Sequence, residues 1–222
     1  EIVSTFEPYR RTGRLLDVGF GAGALISVAR ERGWDVHGIE ASRLAVEQAR
    51  KNGFANVAEG DFLEAPYEPG SFDVIVAIEL IEHLPAPLPF IRRAHRLLRP
   101  GGAHYVTTPN GAGLSGRLLG VDWSIAAPPE HLHIFSPRSL RLALRAGGFS
   151  DVALACEGLN PYELIHHVSQ KVRASKHRPE TGFDRGATSG ALNAKLLGSR
   201  SGSTFKAMAN WALRVTGWGD GL

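Results

Sequence analysis

The 222-residue chain carries 25 Lys/Arg against 22 Asp/Glu, with 43% hydrophobic and 21% charged residues. That composition suits one large α/β domain and excludes both a wholly disordered chain and two full-sized domains. A single cysteine, Cys156, excludes an internal disulfide and a cysteine-rich zinc site and fits a reducing, cytoplasmic compartment, while no apolar run is long enough to cross a bilayer.

Residues 1–12 read as a lead-in, the end of a helix. Leu15, Leu16 and Val18 then make an apolar run fit for a buried parallel strand. Gly19, Gly21 and Gly23 follow at every second position, where a side chain would hold the backbone away from a ligand. Ala24 to Arg32 has helical spacing, with Leu25, Val28 and Ala29 on one face, and Gly33 closes it. Val36 to Ile39 is the next strand. Glu40, at its carboxyl end, can accept both hydroxyls of a ribose. The stretch is built to hold an adenosine. The run from Gly19 to Ala24 also fits the loose dinucleotide pattern G-x-G-x-x-G/A, so a nicotinamide cofactor stays open on this stretch alone.

Ser42 is an N-cap for a helix from Arg43 to Asn52, closed by Gly53. Asn56 to Glu59 is a short strand ending at Gly60-Asp61-Phe62. Phe72 to Ile78 is a strong buried strand, followed by a loop from Glu79 to Leu84. Pro87 to Leu98 is amphipathic, Arg99-Pro100-Gly101-Gly102 stops it, and Ala103 to Thr108 is a strand again. Strand and helix alternate this far, which predicts a parallel sheet covered on both faces. From Asn110 to Ile134 the rhythm breaks into a long loop with two histidines. Ser136 and Pro137 open a helix that runs to Ala146, and Phe149 to Ala155 reads as a late strand. Two further helices are marked by Tyr162 to Val172 and Phe205 to Val215, with a Gly- and Ser-rich stretch from Ser175 to Ser203 between them. From Gly158 onward the chain holds nine Lys/Arg and four Asp/Glu, so the basic excess belongs to its last part. The plain reading is a solvated helical face. The sharper one is contact with an anionic or lipid-linked acceptor. No interleaving of basic and aromatic residues points to sequence-specific nucleic acid.

Six segments together resemble a class I S-adenosylmethionine-dependent methyltransferase of the methyltransferase domain 23 type, similar to ubiquinone-biosynthesis O-methyltransferases. They are LLDVGFGAG (15–23), Glu40, GDF (60–62), SFDVIVAIELIEHL (71–84), RLLRPGGAHYVTTPN (96–110) and EHLHIFSPRSLRLALRAGGF (130–149). The resemblance implies a Rossmann-like, doubly wound, mostly parallel seven-stranded sheet of order 3-2-1-4-5-7-6. It places a cofactor-binding core at residues 1–157 and a helical, basic cap over the acceptor side at 158–222. Residues 217–222 resemble the turn into the last strand, so that strand is expected to be truncated and the natural chain to extend further. The implied cofactor is S-adenosylmethionine. Asp17, Gly19, Gly21 and Gly23 match the turn that wraps its methionine part, and Glu40 with Ala41 the ribose-binding corner. Asp61 and Phe62 match the adenine-binding pair, and Ile78 and Glu79 the strand end beside the methyl donor. Phe20 departs from the pattern, which commonly has a small residue there. A sulfonium nucleoside has no pyrophosphate and needs polar groups for a ribose and an adenine, which Glu40 and Asp61 supply on successive strands.

Methyl transfer is a one-step displacement that gains from alignment and, with a hydroxyl acceptor, from a general base. His131, His133 and His83 are the candidates, His131 first; if residues 131–133 are extended, His131 and His133 point to opposite faces. The competing reading is that these histidines brace the loop. Metal ligation by His131 and His133 is a further option without a complete ligand set, so no metal is expected. Asp122 and Trp123 are candidates for lining the acceptor site. Glu79 and Glu82 pair on a loop-to-helix turn, where Glu82 reads as helix-terminal charge. The expected function is methyl transfer to a hydroxyl of a small molecule such as a sugar, phenol or natural product. The alternatives are N- or C-methylation and a cofactor-binding module without turnover.

Overall fold

The computed structural model describes residues 2–158. The described residues fall in two compact units, 2–108 with Arg141–Val152, and Pro109–Leu140 with residues 153–158. The expected helices at 162–172 and 205–215, the Ser175–Ser203 stretch, the 217–222 turn and the last strand lie outside the described residues.

The first unit is built on five strands: β1 (Arg14–Val18), β2 (Asp35–Glu40), β3 (Val57–Glu59), β4 (Phe72–Ile78) and β5 (Leu98–Thr107). They pair in the order β3-β2-β1-β4-β5, all parallel. This is the first part of the expected order. β4 is apolar but for Asp73, and β1 contributes Leu15, Leu16 and Val18, because both faces of a parallel sheet are covered. On one face Leu15, Val36, Val74 and Val76 pack against Ile26 and Ala29 of α1 (Ala24–Glu31) and Val46 and Ala49 of α2 (Arg43–Lys51). Val3 and Phe6 of the lead-in join that core. The lead-in is a 3-10 helix over Ile2–Tyr9. On the other face lies α3 (Pro87–Leu97), which buries Phe90, Ile91, Ala94 and Leu97. His104 of β5 sits there too. Its Nδ1 donates to the Ile75 carbonyl at 3.0 Å, its ring stacks on Phe149 and tilts against Phe90, and burial pushes its pKa down to about 4.

Three boundaries differ from expectation. β5 starts at Leu98, not Ala103: Leu98 pairs with Phe72, and an irregularity between Phe72 and Val74 absorbs the Arg99–Gly102 segment. The long 110–134 loop holds a short helix, α4 (Leu114–Leu119), and a 3-10 turn at Gly120–Asp122. The expected strand from Phe149 to Ala155 forms no ladder among the described residues. Phe149 instead packs its ring on His95 and His104.

In the second unit, Asn110 bridges Phe135 in parallel, and the Gly111 amide donates to the Phe135 carbonyl at 2.7 Å. Asn110 is buried and donates to the Cys156 sulfur at 3.7 Å. Burial pushes the Cys156 thiol pKa up, so the thiol stays protonated at neutral pH. α5 (Pro137–Ala146) opens on a reciprocal cap, with Ser139 N donating to Ser136 Oγ at 3.1 Å and Ser136 N to Ser139 Oγ at 2.8 Å.

Candidate functional site

Parallel strands end on one edge of a sheet, so the residues that follow β1, β2, β3 and β4 share that edge. Register brings the first two together: Asp17 lies beside Gly38, and the Gly19 amide donates to the Ile39 carbonyl at 2.8 Å. The turn then needs φ of +73° at Gly19 and +52° at Gly21, values that only glycine adopts readily. Nothing lies within 4 Å of where a Cβ on Gly21 would stand, so the backbone there is open to a ligand.

Glu40 holds this turn. One carboxylate oxygen accepts from the Gly21 amide at 2.9 Å and the other from the Ser42 amide at 2.9 Å. Each oxygen keeps a lone pair for a further donor, which is what two ribose hydroxyls would supply. The next strand end is tied to it, because the Gly60 amide donates to the Glu40 carbonyl at 3.1 Å. Asp61 follows, exposed, with Oδ1 accepting from the Leu63 amide at 2.8 Å. Phe62 turns its ring into the core, 4.8 Å from that of Phe90, and gives its carbonyl to Arg93 at 2.7 Å. Ala41 is exposed beside Glu40.

Asp17 is 3% exposed. Burial, helped by the charge of Glu40, pushes its pKa up to about 7. A cation placed here would be attracted by both carboxylates.

At the end of β4, Ile78 is half-buried and Glu79 takes φ of +49°, the sole non-glycine residue with positive φ among the described residues. Such strain persists where surrounding contacts impose it. Here the Glu79 amide donates to the Thr107 carbonyl at 3.1 Å and its carboxylate accepts from Thr107 Oγ1 at 2.9 Å. Glu82, read from the sequence as helix-terminal charge, is 1% exposed, and neither of its oxygens meets a hydrogen-bond partner among the described residues. No signal in the sequence separates it from an exposed acid. The neighbouring His83 is exposed.

Phe20 does not line the turn's ligand side. It is buried in the core over Gly38, where an added Cβ would stand 2.7 Å from the ring. The departure from a small residue is matched by a missing side chain on the next strand.

The other two candidate histidines belong to the second unit. His131 Nδ1 lies 2.6 Å from the Ile125 carbonyl. A carbonyl only accepts, so Nδ1 carries the proton and Nε2 is the basic nitrogen. His133 is half-buried with its ring 6.0 Å from that of Phe135, and its buried Nε2 meets no hydrogen-bond partner among the described residues. Trp123 is buried in the packing, and Asp122 is exposed.

Comparison with known proteins bears on this edge. A family model described as a methyltransferase domain matches residues 1–154. A ubiquinone biosynthesis O-methyltransferase of Ralstonia nicotianae is 29% identical over 183 residues, covering 75% of this chain and 77% of its own length. A Thermotoga maritima S-adenosylmethionine-dependent methyltransferase, described as a possible histamine N-methyltransferase, superposes with a TM-score of 0.55 at 23% identity over 67% of this chain and 70% of its own. The [4+2]-cyclase SpnF does so with a TM-score of 0.55 at 28% identity, over 68% and 58%.

Proposed function

The chain belongs to the methyltransferase-domain family, with S-adenosylmethionine as its cofactor, and from that premise we propose that it methylates a hydroxyl of a small molecule. The observation that carries the reading is the pair of strand-end acids, Glu40 and Asp61, joined through the Gly60 amide and set beside an open glycine turn. Glu40 fits a ribose. Asp61, with the backbone of Phe62, fits the amino edge of an adenine. The start of α1 has no side-chain cap, which suits the carboxylate of a methionine tail. The bound cofactor supplies a methyl group on a cationic sulfur. Glu79 offers a carboxylate on the side of the turn where that cation belongs, Asp17 offers a carboxyl whose ionised form the cation would favour, and Ile78 supplies an apolar neighbour.

A hydroxyl acceptor is supported by the O-methyltransferase relative, and the chain's own base for it is His131. Its Nδ1–H is held by the Ile125 carbonyl, which fixes the tautomer that takes a proton at Nε2. His133 and His83 are the lesser candidates.

The test is transfer of labelled methyl from the donor to a panel of phenols, sugars, amines and carbon acids. Transfer to oxygen, lowered about 100-fold or more by His131→Ala with donor binding intact, is the expected result. Glu40→Gln and Asp61→Asn should each weaken binding of the demethylated cofactor about 10-fold or more. Unchanged binding in both variants overturns the site, and transfer to nitrogen or carbon alone overturns the acceptor. A second reading, cofactor binding without methyl transfer, draws on the likeness to a cyclase. Binding with no transfer across the panel favours it.

A further inference from the structure

We propose that the outer face of α3 and the C-terminal half of α5 is a docking surface for an anionic phospholipid bilayer. The two elements lie side by side. A Cβ on Gly147, just after α5, would stand 2.1 Å from Ile91 of α3, and one on Gly148 would stand 3.0 Å from the His95 ring. Their outward residues are Arg92, His95 and Arg96 on α3 and Arg141, Leu142 and Arg145 on α5, all exposed. Arg92 and Arg96, like Arg141 and Arg145, are spaced four apart, so each pair stands on one stripe of its helix. Neither helix contains an aspartate or a glutamate.

Elsewhere in this unit four arginines have an acid partner, while Arg11, Arg30, Arg32, Arg50 and Arg93 have none among the described residues. Arg10 pairs with Glu7, Arg14 with Asp35, Arg43 with Glu47 and Arg99 with Asp73. None of the four arginines on the α3–α5 face makes an ion pair among the described residues. What sets this face apart is that four such arginines stand together on two adjoining helices that carry no acid.

The chemistry of the face favours phosphate. All four cations are arginine, whose planar fork grips phosphate oxygens in pairs. Leu142, 58% exposed, stands among them as an apolar contact at headgroup depth. Two helices laid side by side on a sheet offer a broad face, the shape a bilayer requires. Single-stranded nucleic acid would call for large aromatic rings to stack on, and neither helix has an exposed Phe, Tyr or Trp.

The experiment is cosedimentation of the full chain with phosphatidylcholine vesicles, with and without phosphatidylglycerol. Each arginine near a charged surface contributes about a fivefold change in partitioning. Wild type is expected to bind the mixed vesicles, to leave them at high salt, and to ignore pure phosphatidylcholine. Arg92→Gln with Arg96→Gln, or Arg141→Gln with Arg145→Gln, should lower partitioning about 25-fold, and Lys51→Gln on the opposite face should leave it unchanged. Binding of the demethylated cofactor by every variant shows that the fold is intact. Equal partitioning of the fourfold variant and wild type overturns the proposal, as does failure of wild type to bind. Tighter capture by RNA or an acidic polypeptide, lost in the same variants, assigns the face to another partner and also overturns it.

Discussion

Asp17 carries a cost that the sequence hides. A carboxyl after two leucines in a buried strand reads as a site residue by resemblance, but its energetics come from burial at 3% exposure and from the neighbouring charge of Glu40. Its pKa is raised from 3.8 to about 7 on folding. For an acid raised in this way, the native state binds the extra proton. Stability is then full below about pH 4, falls as pH rises towards 7, and is level above that. The loss at the upper end is at most about 4 kcal/mol. Asp17→Asn, which keeps the shape and removes the charge, should therefore gain stability over wild type at pH 8 and gain little at pH 4. Urea unfolding of both proteins at the two pH values checks this; an equal gain at both would show that the carboxyl is not held neutral in the unliganded fold.

Between elements, the same question concerns Phe20 and Gly38. The first leaves a turn after β1, the second sits in β2, and the ring of one fills the space a side chain on the other would need. Gly38→Ala should cost about 1–3 kcal/mol by overpacking. Phe20→Leu with Gly38→Ala should recover part of that loss, so that the double variant is more stable than the two single losses predict. Thermal unfolding of the four proteins closes the cycle, and strict additivity would mean the two do not compete for one space. Such a pair shows which parts of the fold were legible. β1, β2 and β4 were, because strands buried on both faces are apolar runs and glycines mark their ends. The placement of Glu40, Asp61 and Glu79 at strand ends was legible too, since each stands at or just after the last residue of a strand. The inward turn of Phe20 was not, because a large residue in a glycine turn reads equally well as lining a pocket. Nor was the burial of Glu82, since a carboxylate in a polar turn carries no mark of exposure. The unformed ladder at 149–155 has a similar cause: Phe149 finds its burial against two histidine rings rather than in a strand pair.

At the scale of the whole first unit, Asp73 joins parts far apart in the chain. Its Oδ2 accepts from the amides of Arg11, Thr12 and Gly13 at 2.8, 2.7 and 2.7 Å, and its Oδ1 accepts from Arg99 Nε. Arg99 also donates to the carbonyls of Tyr9 and Pro100. The lead-in, β4 and the start of β5 thus meet at one fully buried carboxylate. This is why β5 begins at Leu98: the Arg99–Gly102 segment, which reads as a helix stop, is held against β4 by its arginine. Burial would raise the Asp73 pKa, but the bonds from Arg11, Arg99, Gly13 and Thr12 outweigh it and leave it lowered. The sign follows: an acid lowered on folding stabilises the native state above its unfolded pKa, and that contribution is lost as pH falls through its native value. Asp73→Asn places an amide against the Arg99 guanidinium and leaves that cation buried without its counter-charge, so it should cost about 3–5 kcal/mol at neutral pH. Urea unfolding from pH 7 down into the acid range should show the gap between wild type and variant closing as Asp73 of the wild type protonates. Hydrogen exchange supplies the local reading: in the variant the amides of Arg11, Thr12 and Gly13 should exchange faster than those of β1. A gap that stays constant with pH would mean the carboxylate's charge contributes nothing and that the three amides are held by shape alone.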